Sequence, residues 1–197
     1  IQAISQGLQC FGGSGYCDDY PLEQYYRDAR IHPIHEGTTA IHGMDLLGRK
    51  VMIRNGRAFS LFVNELEDTL SRVKGIPGLV KYAQSLKEAL EKLQNVTQHL
   101  LSLALAQGPE PFLADATLYL ELFGIISIAW QWLLQGISAQ QALDKGCKKS
   151  DERFYEGKMY TLRYFYAYEL PKIKGLTERL LDDDRVTVEM ESGFFND

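Results

Sequence analysis

Beyond Gly56 the apolar residues of this chain recur at spacings of three and four, and that periodicity leaves little room for anything but packed helices. Phe59, Phe62, Val63, Leu66, Leu70 and Val73 share one helical face, and Gly75-Ile76-Pro77-Gly78 stops it. Tyr82, Leu86, Ala89, Leu93, Val96, Leu100 and Leu103 then alternate in steps of four and three, an a/d-like seam closed by Gly108-Pro109-Glu110-Pro111. No proline occurs between Pro111 and Pro171. An apolar helix is expected from about Phe112 to Gly136, a break around Gly146, and another amphipathic helix over Phe154 to Lys174. The fold class is therefore all-α, an up-and-down helical bundle of about four long helices. Val186-Thr187-Val188 is the only strand-like run, and Asp182-Asp183-Asp184 reads as a solvated turn. Gly124 and Gly136, inside the long helix, each cost about 1 kcal/mol relative to Ala. Close helix packing is the expected reason for them.

The first 56 residues have a different texture, with eight of the 17 glycines, two of the six prolines and three of the four histidines. A boundary is expected near Arg54-Asn55-Gly56, dividing the chain into domains 1–55 and 56–197. The chain opens at Ile1 without an initiator Met, a basic leader or a signal-peptide cleavage pattern, so a fragment is expected. Leu118 to Ile137 is apolar enough to suggest a membrane span, yet it carries Glu121, Gln131 and Gln135 and reads better as a bundle helix. Twenty-one basic against 26 acidic residues leave a net charge of −5, which argues against a nucleic-acid partner. Cys10, Cys17 and Cys147 are odd in number and lack a Cys-x-x-Cys pair, so neither a disulfide framework nor a zinc site is expected. A reducing, cytoplasmic setting fits them.

Candidate chemistry concentrates in Gln9-Cys10-Phe11-Gly12-Gly13-Ser14-Gly15-Tyr16, Tyr20-Pro21-Leu22-Glu23, Arg27-Asp28-Ala29-Arg30-Ile31 and Ile34-His35-Glu36-Gly37-Thr38-Thr39. The glycine cluster permits positive φ and close approach of backbone to a ligand phosphate, although a plain turn between helices is the commoner explanation of such a cluster alone. It does not follow a strand, which excludes a Rossmann fingerprint. Gly37-Thr38-Thr39 can cap a helix starting near Ala40, placing Glu36 at the junction before it, where a carboxylate serves well as a positioned base, although taken by itself an ordinary surface glutamate is the commoner reading.

Taken in order, these four motifs resemble the C-terminal helical domain of the acyl-CoA dehydrogenases. The strong resemblance covers about the first 50 residues. From about Arg57 onward the chain resembles, by helical texture and position, the extra helical domain appended in larger bacterial members. The resemblance implies a truncated remnant of the helical domain followed by the bundle. It implies α,β-desaturation of an acyl-CoA thioester with FAD, in which a glutamate removes the α-proton while a hydride leaves the β-carbon for the flavin. Glu36 matches that base, and Glu36 and Gly37 the substrate-binding position at the thioester. In the family the amide of the same Glu, with a flavin ribityl hydroxyl, binds the thioester oxygen. Gln9, Cys10, Phe11, Gly12 and Gly13 match the loop that contacts the adenosine diphosphate part of FAD held by a neighbouring subunit, and Thr38, Thr39 and Ala40 match cofactor-contacting residues after the base. Sharing of FAD implies a homo-oligomer, and the usual acceptor is an electron-transferring flavoprotein. The fragment alone is expected to be inactive. His35 replaces the aromatic residue often found before the base and is expected to affect pocket shape or the Glu36 pKa.

Two other readings are an acyl-CoA oxidase sharing the same base, and an oligomerisation or docking module formed by the bundle. Arg27, Asp28 and Arg30 are expected to brace their helix through ion pairs. His32 and His35 lack the spacing of a metal site, His42 and His99 read as ordinary helix residues, and Lys145, Lys148 and Lys149 as a solvated helix end. Tyr160, Tyr164, Phe165, Tyr166 and Tyr168 are expected to serve as bundle core and interface rather than as a base-stacking platform.

Overall fold

Helix ends in the computed structural model, which describes residues 1–35 and 37–195, fall largely at the glycine and proline breakers. All regular structure among these residues is helical. The chain divides into two units, Ile1–His42 and Gly43–Asp197.

The first unit contains α1 (Gln2–Phe11), α2 (Gly13–Tyr16) and α3 (Leu22–Ala29), followed by turns and the start of α4 (Thr39–Asp45). Gly12, at φ 59°, breaks α1 from α2. Among its described residues only Gly15 is fully buried. Phe11, Tyr20, Tyr25, Ile31, Ile34 and Ile41 remain about half exposed. Apolar side chains left in this state contribute little of the roughly 2 kcal/mol that full burial of each would supply.

In the second unit the remainder of α4 leads through a π-turn at Leu46–Lys50 into α5 (Ile53–Arg72). Asp45 ties the π-turn to α4: Arg49 Nε and Nη2 donate to its carboxylate at 2.5 and 3.0 Å, and Lys50 Nζ lies at 3.1 Å. Those hydrogen bonds, Arg49's foremost, hold the Asp45 pKa down to about 2. Arg54, Asn55 and Gly56 all adopt left-handed backbone, so the turn-prone tripeptide is a sharp kink within α5. The long helices α6 (Val80–Gln107), α8 (Ala116–Asp144) and α9 (Lys149–Tyr164) follow, with the short α7 (Pro109–Leu113) before α8. The chain ends in α10 (Ile173–Leu181), α11 (Val186–Glu189) and a single 3₁₀ turn.

Helix α8 packs against α5, α6, α9 and α10. Its buried stripe of Ala116, Tyr119, Leu122, Ile126, Ala129, Leu133 and Ile137 faces them, while Glu121, Ile128, Gln131, Gln135 and Ser138 form the exposed stripe, polar but for Ile128. Together α7 and α8 are the one stretch among the described residues long and apolar enough to cross a membrane, and the polar stripe is where the bundle leaves α8 open. The α6 seam is buried from Leu86 to Leu103, as its spacing predicts. Phe62 packs on Phe123 at 4.6 Å and edge-on to Trp130 at 5.8 Å. Polar contacts connect α8 to its neighbours: Trp130 Nε1 donates to Thr69 Oγ1 at 2.8 Å, Thr97 Oγ1 meets the Tyr119 hydroxyl at 2.8 Å, and the Tyr166 hydroxyl donates to the Ala129 carbonyl at 3.0 Å. Burial pushes the Tyr119 phenol up to about 12, against the opposing Thr97 hydrogen bond, and pushes Tyr166 further in the same direction.

Several expectations are corrected. The long helix starts at Ala116 and runs to Asp144, not from Phe112 to Gly136. Asp115 sits at its N-cap, accepting from the Leu118 and Tyr119 amides through its carbonyl and from Arg179 Nε through its carboxylate at 3.1 Å. The helix expected over Phe154 to Lys174 begins at Lys149 and widens into a π-turn at Phe165–Glu169, because Pro171 supplies no amide to continue an α-ladder. A 3₁₀ turn at Leu170–Lys172 then leads into α10. Val186-Thr187-Val188 is helical, with the Val186 amide donating to the Asp184 carboxylate at 3.0 Å. Of the aromatic run, Tyr166 is buried and Phe165 packs against the core, whereas Tyr160, Tyr164 and Tyr168 are exposed. Close packing accounts for Gly136, whose added Cβ would lie 3.3 Å from Leu162 and 3.5 Å from Leu79, but Gly124 faces open space.

The glycine demanded most strongly is Gly43, where a Cβ would fall 2.5 Å from the Ala116 carbonyl oxygen and 2.7 Å from its carbon. Gly43→Ala is expected to destabilise the bundle by about 1–3 kcal/mol, since backbone must move to admit the methyl. Gly124→Ala, mid-helix and unobstructed, is expected to stabilise it by about 0.5–1 kcal/mol. Urea unfolding of the two variants beside the parent chain measures both.

Candidate functional site

The first unit holds a cleft of about 740 Å³ lined by Ser5, Leu8, Gln9 and Gly12 from α1 and its end, Tyr16 from α2, and Glu23, Tyr26 and Arg27 from α3. Its wall on α1 follows from helical spacing: positions 5, 8, 9 and 12 share one side. Its α3 wall carries Glu23 and Arg27 one turn apart, with Arg27 Nη2 3.1 Å from Glu23 Oε2. Both side chains stand at the surface, Arg27 at 73% exposure, so the guanidinium keeps donors for an anion. Of Arg27, Asp28 and Arg30, all expected to brace this helix through ion pairs, Arg27 pairs with Glu23, and among the described residues Asp28 and Arg30 form no ion pair.

Each motif glycine has a separate local role. Gly12 takes positive φ, with nothing within 4 Å of a Cβ placed on it, so bare backbone lines the cleft. Gly13 is likewise unobstructed. Gly15 is the packing glycine: an added Cβ would meet Phe11 Cβ at 2.8 Å and the Leu8 carbonyl oxygen at 3.3 Å, so only glycine lets α2 fold back on α1. Phe11 stacks edge-on against Tyr20 at 4.9 Å, and Cys10 is exposed.

Of the sequence-derived cofactor contacts, Gln9 and Gly12 line the cleft, while Cys10, Phe11 and Gly13 occupy the same helix ends beside it. Thr38, Thr39 and Ala40 are exposed at the entry to α4 and do not line it. Glu36, the expected base, lies outside the described residues. Gly37, next in the chain, adopts φ 137°, which an L side chain rarely tolerates. The helix expected near Ala40 begins at Thr39. His35 is exposed, and its amide donates to the Ile31 carbonyl at 2.9 Å. Sequence reasoning missed Ser5, Leu8 and Tyr26 as cleft residues. The signal that could have found them is their helical register with Gln9 and Glu23.

In the second unit the fully buried polar residues are Thr69, Thr97 and Thr177, each donating to a carbonyl one turn earlier. No cluster of three metal-ligating side chains occurs among the described residues.

Residues 62–191 match the family described as Acetyl-CoA dehydrogenase C-terminal like, and residues 1–52 match the Acyl-CoA dehydrogenase, C-terminal domain. The chain is 35% identical over 183 residues to 3-methylmercaptopropionyl-CoA dehydrogenase of Ruegeria pomeroyi, covering 92% of this chain and 30% of that protein. It is 31% identical over 197 residues to the broad-specificity linear acyl-CoA dehydrogenase FadE5 of Mycobacterium tuberculosis, covering 98% and 32%. A butyryl-CoA dehydrogenase of Syntrophomonas wolfei is 24% identical, covering 98% and 32%. The chain therefore spans about a third of the length of these relatives.

The packing of Gly15 generates a direct expectation for the cleft. Gly15→Ala pushes α2 off α1 and accelerates proteolytic cleavage between Phe11 and Tyr20, whereas Gly13→Ala leaves the cleavage rate within about twofold of the parent, because its methyl meets no neighbour. Timed digestion resolved by mass spectrometry compares the two.

Proposed function

Because this chain belongs to the acyl-CoA dehydrogenase family, we propose that it works as the C-terminal part of an FAD-dependent enzyme that desaturates an acyl-CoA thioester between its α- and β-carbons. The observation that carries the reading is the matched motif order from Gln9 to Thr38, part of which lines a glycine-bared cleft with the Arg27–Glu23 pair at its rim. Glu36 is the base. Its carboxylate takes the α-proton of the acyl chain, the electron pair of the β-carbon–hydrogen bond leaves as hydride, and the α,β double bond forms between the two carbons. FAD, when bound, supplies the acceptor for that hydride. A thioester α-proton is weakly acidic, so the base needs an environment that raises its pKa, and the oxygen that gains charge needs a hydrogen-bond donor. The Glu36 amide serves as that donor.

The first unit suits the adenosine diphosphate end of FAD. Gly12 and Gly13 expose backbone without side chains in the way, and Ser5, Gln9 and Arg27 bring polar groups to the same cleft. Gln9, Cys10, Phe11, Gly12 and Gly13 hold the cofactor there, and Thr38, Thr39 and Ala40 hold it beside the base. The half-exposed apolar residues of this unit support a further part of the proposal, that it is completed by other helices of the same polypeptide and by a second copy in a homo-oligomer. Electrons pass on to an electron-transferring flavoprotein, in a reducing, cytoplasmic setting that suits three free cysteines. Among the described residues of the Gly43–Asp197 bundle, the fully buried polar or charged residues are threonines.

The test is Glu36→Gln in the complete polypeptide loaded with FAD. Anaerobic mixing with saturated acyl-CoAs bleaches the flavin of the parent enzyme, and the variant, with FAD still bound, loses at least about 10³-fold in reduction rate, within the range attributed to general base catalysis. Unimpaired reduction by the variant overturns the assignment.

A further inference from the structure

Where the exposed stripe of α8 meets the first turns of α9, the bundle leaves a cleft of about 360 Å³. Leu134, Gln135 and Ser138 line it from α8, and Phe154, Tyr155 and Lys158 from α9. Helical spacing sets both walls, since residues three and four apart share one side of a helix. Phe154 is 60% exposed, a large ring with one side open to the cleft. An aromatic side chain left in that state gains free energy from any apolar group that covers it.

Among the described residues Lys158 is the one charged group that lines the cleft. Its Nζ donates to Gln135 Oε1 at 3.1 Å and lies 5.5 Å from the centre of the Trp132 ring and 5.4 Å from that of Phe154. Two aromatic rings and an amide oxygen therefore hold the ammonium against the cleft wall. Among the described residues it joins no ion pair. An ammonium carries three N–H groups, of which the bond to Gln135 uses one, and the Gln135 amide nitrogen brings two more beside it. The cleft thus offers several donors, one positive charge and no anion. One cation balances a monoanion, whereas a phosphate dianion would keep a charge uncompensated. A carboxylate has two oxygens to accept from the two neighbouring donor groups, and Leu134 and Phe154 offer apolar surface to whatever is attached to it. At about 30 Å³ for each water-sized group, the cleft admits about a dozen non-hydrogen atoms.

We propose that this cleft binds a small monocarboxylate with an apolar tail, the carboxylate on Lys158 and Gln135 and the tail along Leu134 and Phe154. The proposal involves no residue of the first unit and does not rest on the reading of Glu36 as the base.

The test is a titration of the 197-residue chain with octanoate, followed by two-dimensional NMR. The Trp132 indole resonance and the backbone amides around Lys158 are expected to move with a single dissociation constant, while the indole of Trp130, bonded to Thr69, stays in place. Lys158→Met keeps an apolar stem and removes the charge, and is expected to weaken octanoate at least about fivefold. In the parent chain 1-octanol, the same tail without charge, is expected to bind at least about fivefold more weakly than octanoate, and acetate, the head without a tail, to leave the resonances unmoved. Equal affinity for octanol and octanoate, parent-like binding by Lys158→Met, or tighter binding of octyl phosphate than of octanoate overturns the proposal. Should Lys158→Met not fold, the comparison of ligands on the parent chain decides. The same titration on the complete polypeptide, with light scattering of Phe154→Ala beside the parent, separates the other occupants. A cleft closed to octanoate there, or an assembly that comes apart in Phe154→Ala, means that another segment or a second copy covers it, and overturns the proposal as well.

Discussion

The bundle depends on the enclosure of α8. This helix is apolar around most of its circumference, and such a helix is stable in water only when other helices cover it. Helices α5, α6, α9 and α10 supply the cover. Burial of its leucines and isoleucines, at roughly 2 kcal/mol each, outweighs the roughly 1 kcal/mol net of any one hydrogen bond. The hydrogen bonds have a different effect. Thr69 on α5, Thr97 on α6 and Tyr166 after α9 each meet α8 at one polar point, and Arg179 on α10 meets Asp115 at its start. A slip of a neighbour along α8 would take these partners from the Trp130 indole and the Tyr119 and Tyr166 hydroxyls, so the bonds select the register that the apolar surfaces alone would not.

The first unit has the opposite balance. It places the candidate chemistry on short helices with no buried side chain among its described residues. Its shape comes from backbone, through the left-handed Gly12 and Gly37 and the close approach at Gly15. Residues that must present bare amides to a ligand contribute little to a core. The candidate site therefore sits on the part of the chain with the least side-chain burial, while the bundle differs from it in composition and in burial.

Much of this architecture was readable in the residues. The α6 seam needed only its spacing, because every position from Leu86 to Leu103 in the 4-3 pattern is buried. The motif glycines were readable as glycines but not as individuals: nothing in the sequence distinguishes Gly15, which permits packing, from Gly13, which does not. Helix limits failed where polar contacts outside the apolar pattern decided them. Asp115 starts α8 by bonding two amides and Arg179 from a distant helix, and Val186-Thr187-Val188 coils because Asp184 captures an amide, overriding β-branched propensity. The unit boundary after His42 lies upstream of the composition change at Arg54–Gly56, since Gly43 already packs on Ala116.

The central claim is that one chain joins a bundle with its own core, built on α8, to a segment that holds the candidate site and has no core of its own. Amide hydrogen exchange of the 197-residue chain, resolved by residue, tests it most directly. The account predicts that the amides of α8 exchange only through global unfolding, and that those of residues 1–42 exchange faster by at least about 10²-fold, through local opening. Equal protection of both segments, or an α8 that opens before α5 and α6, would contradict it.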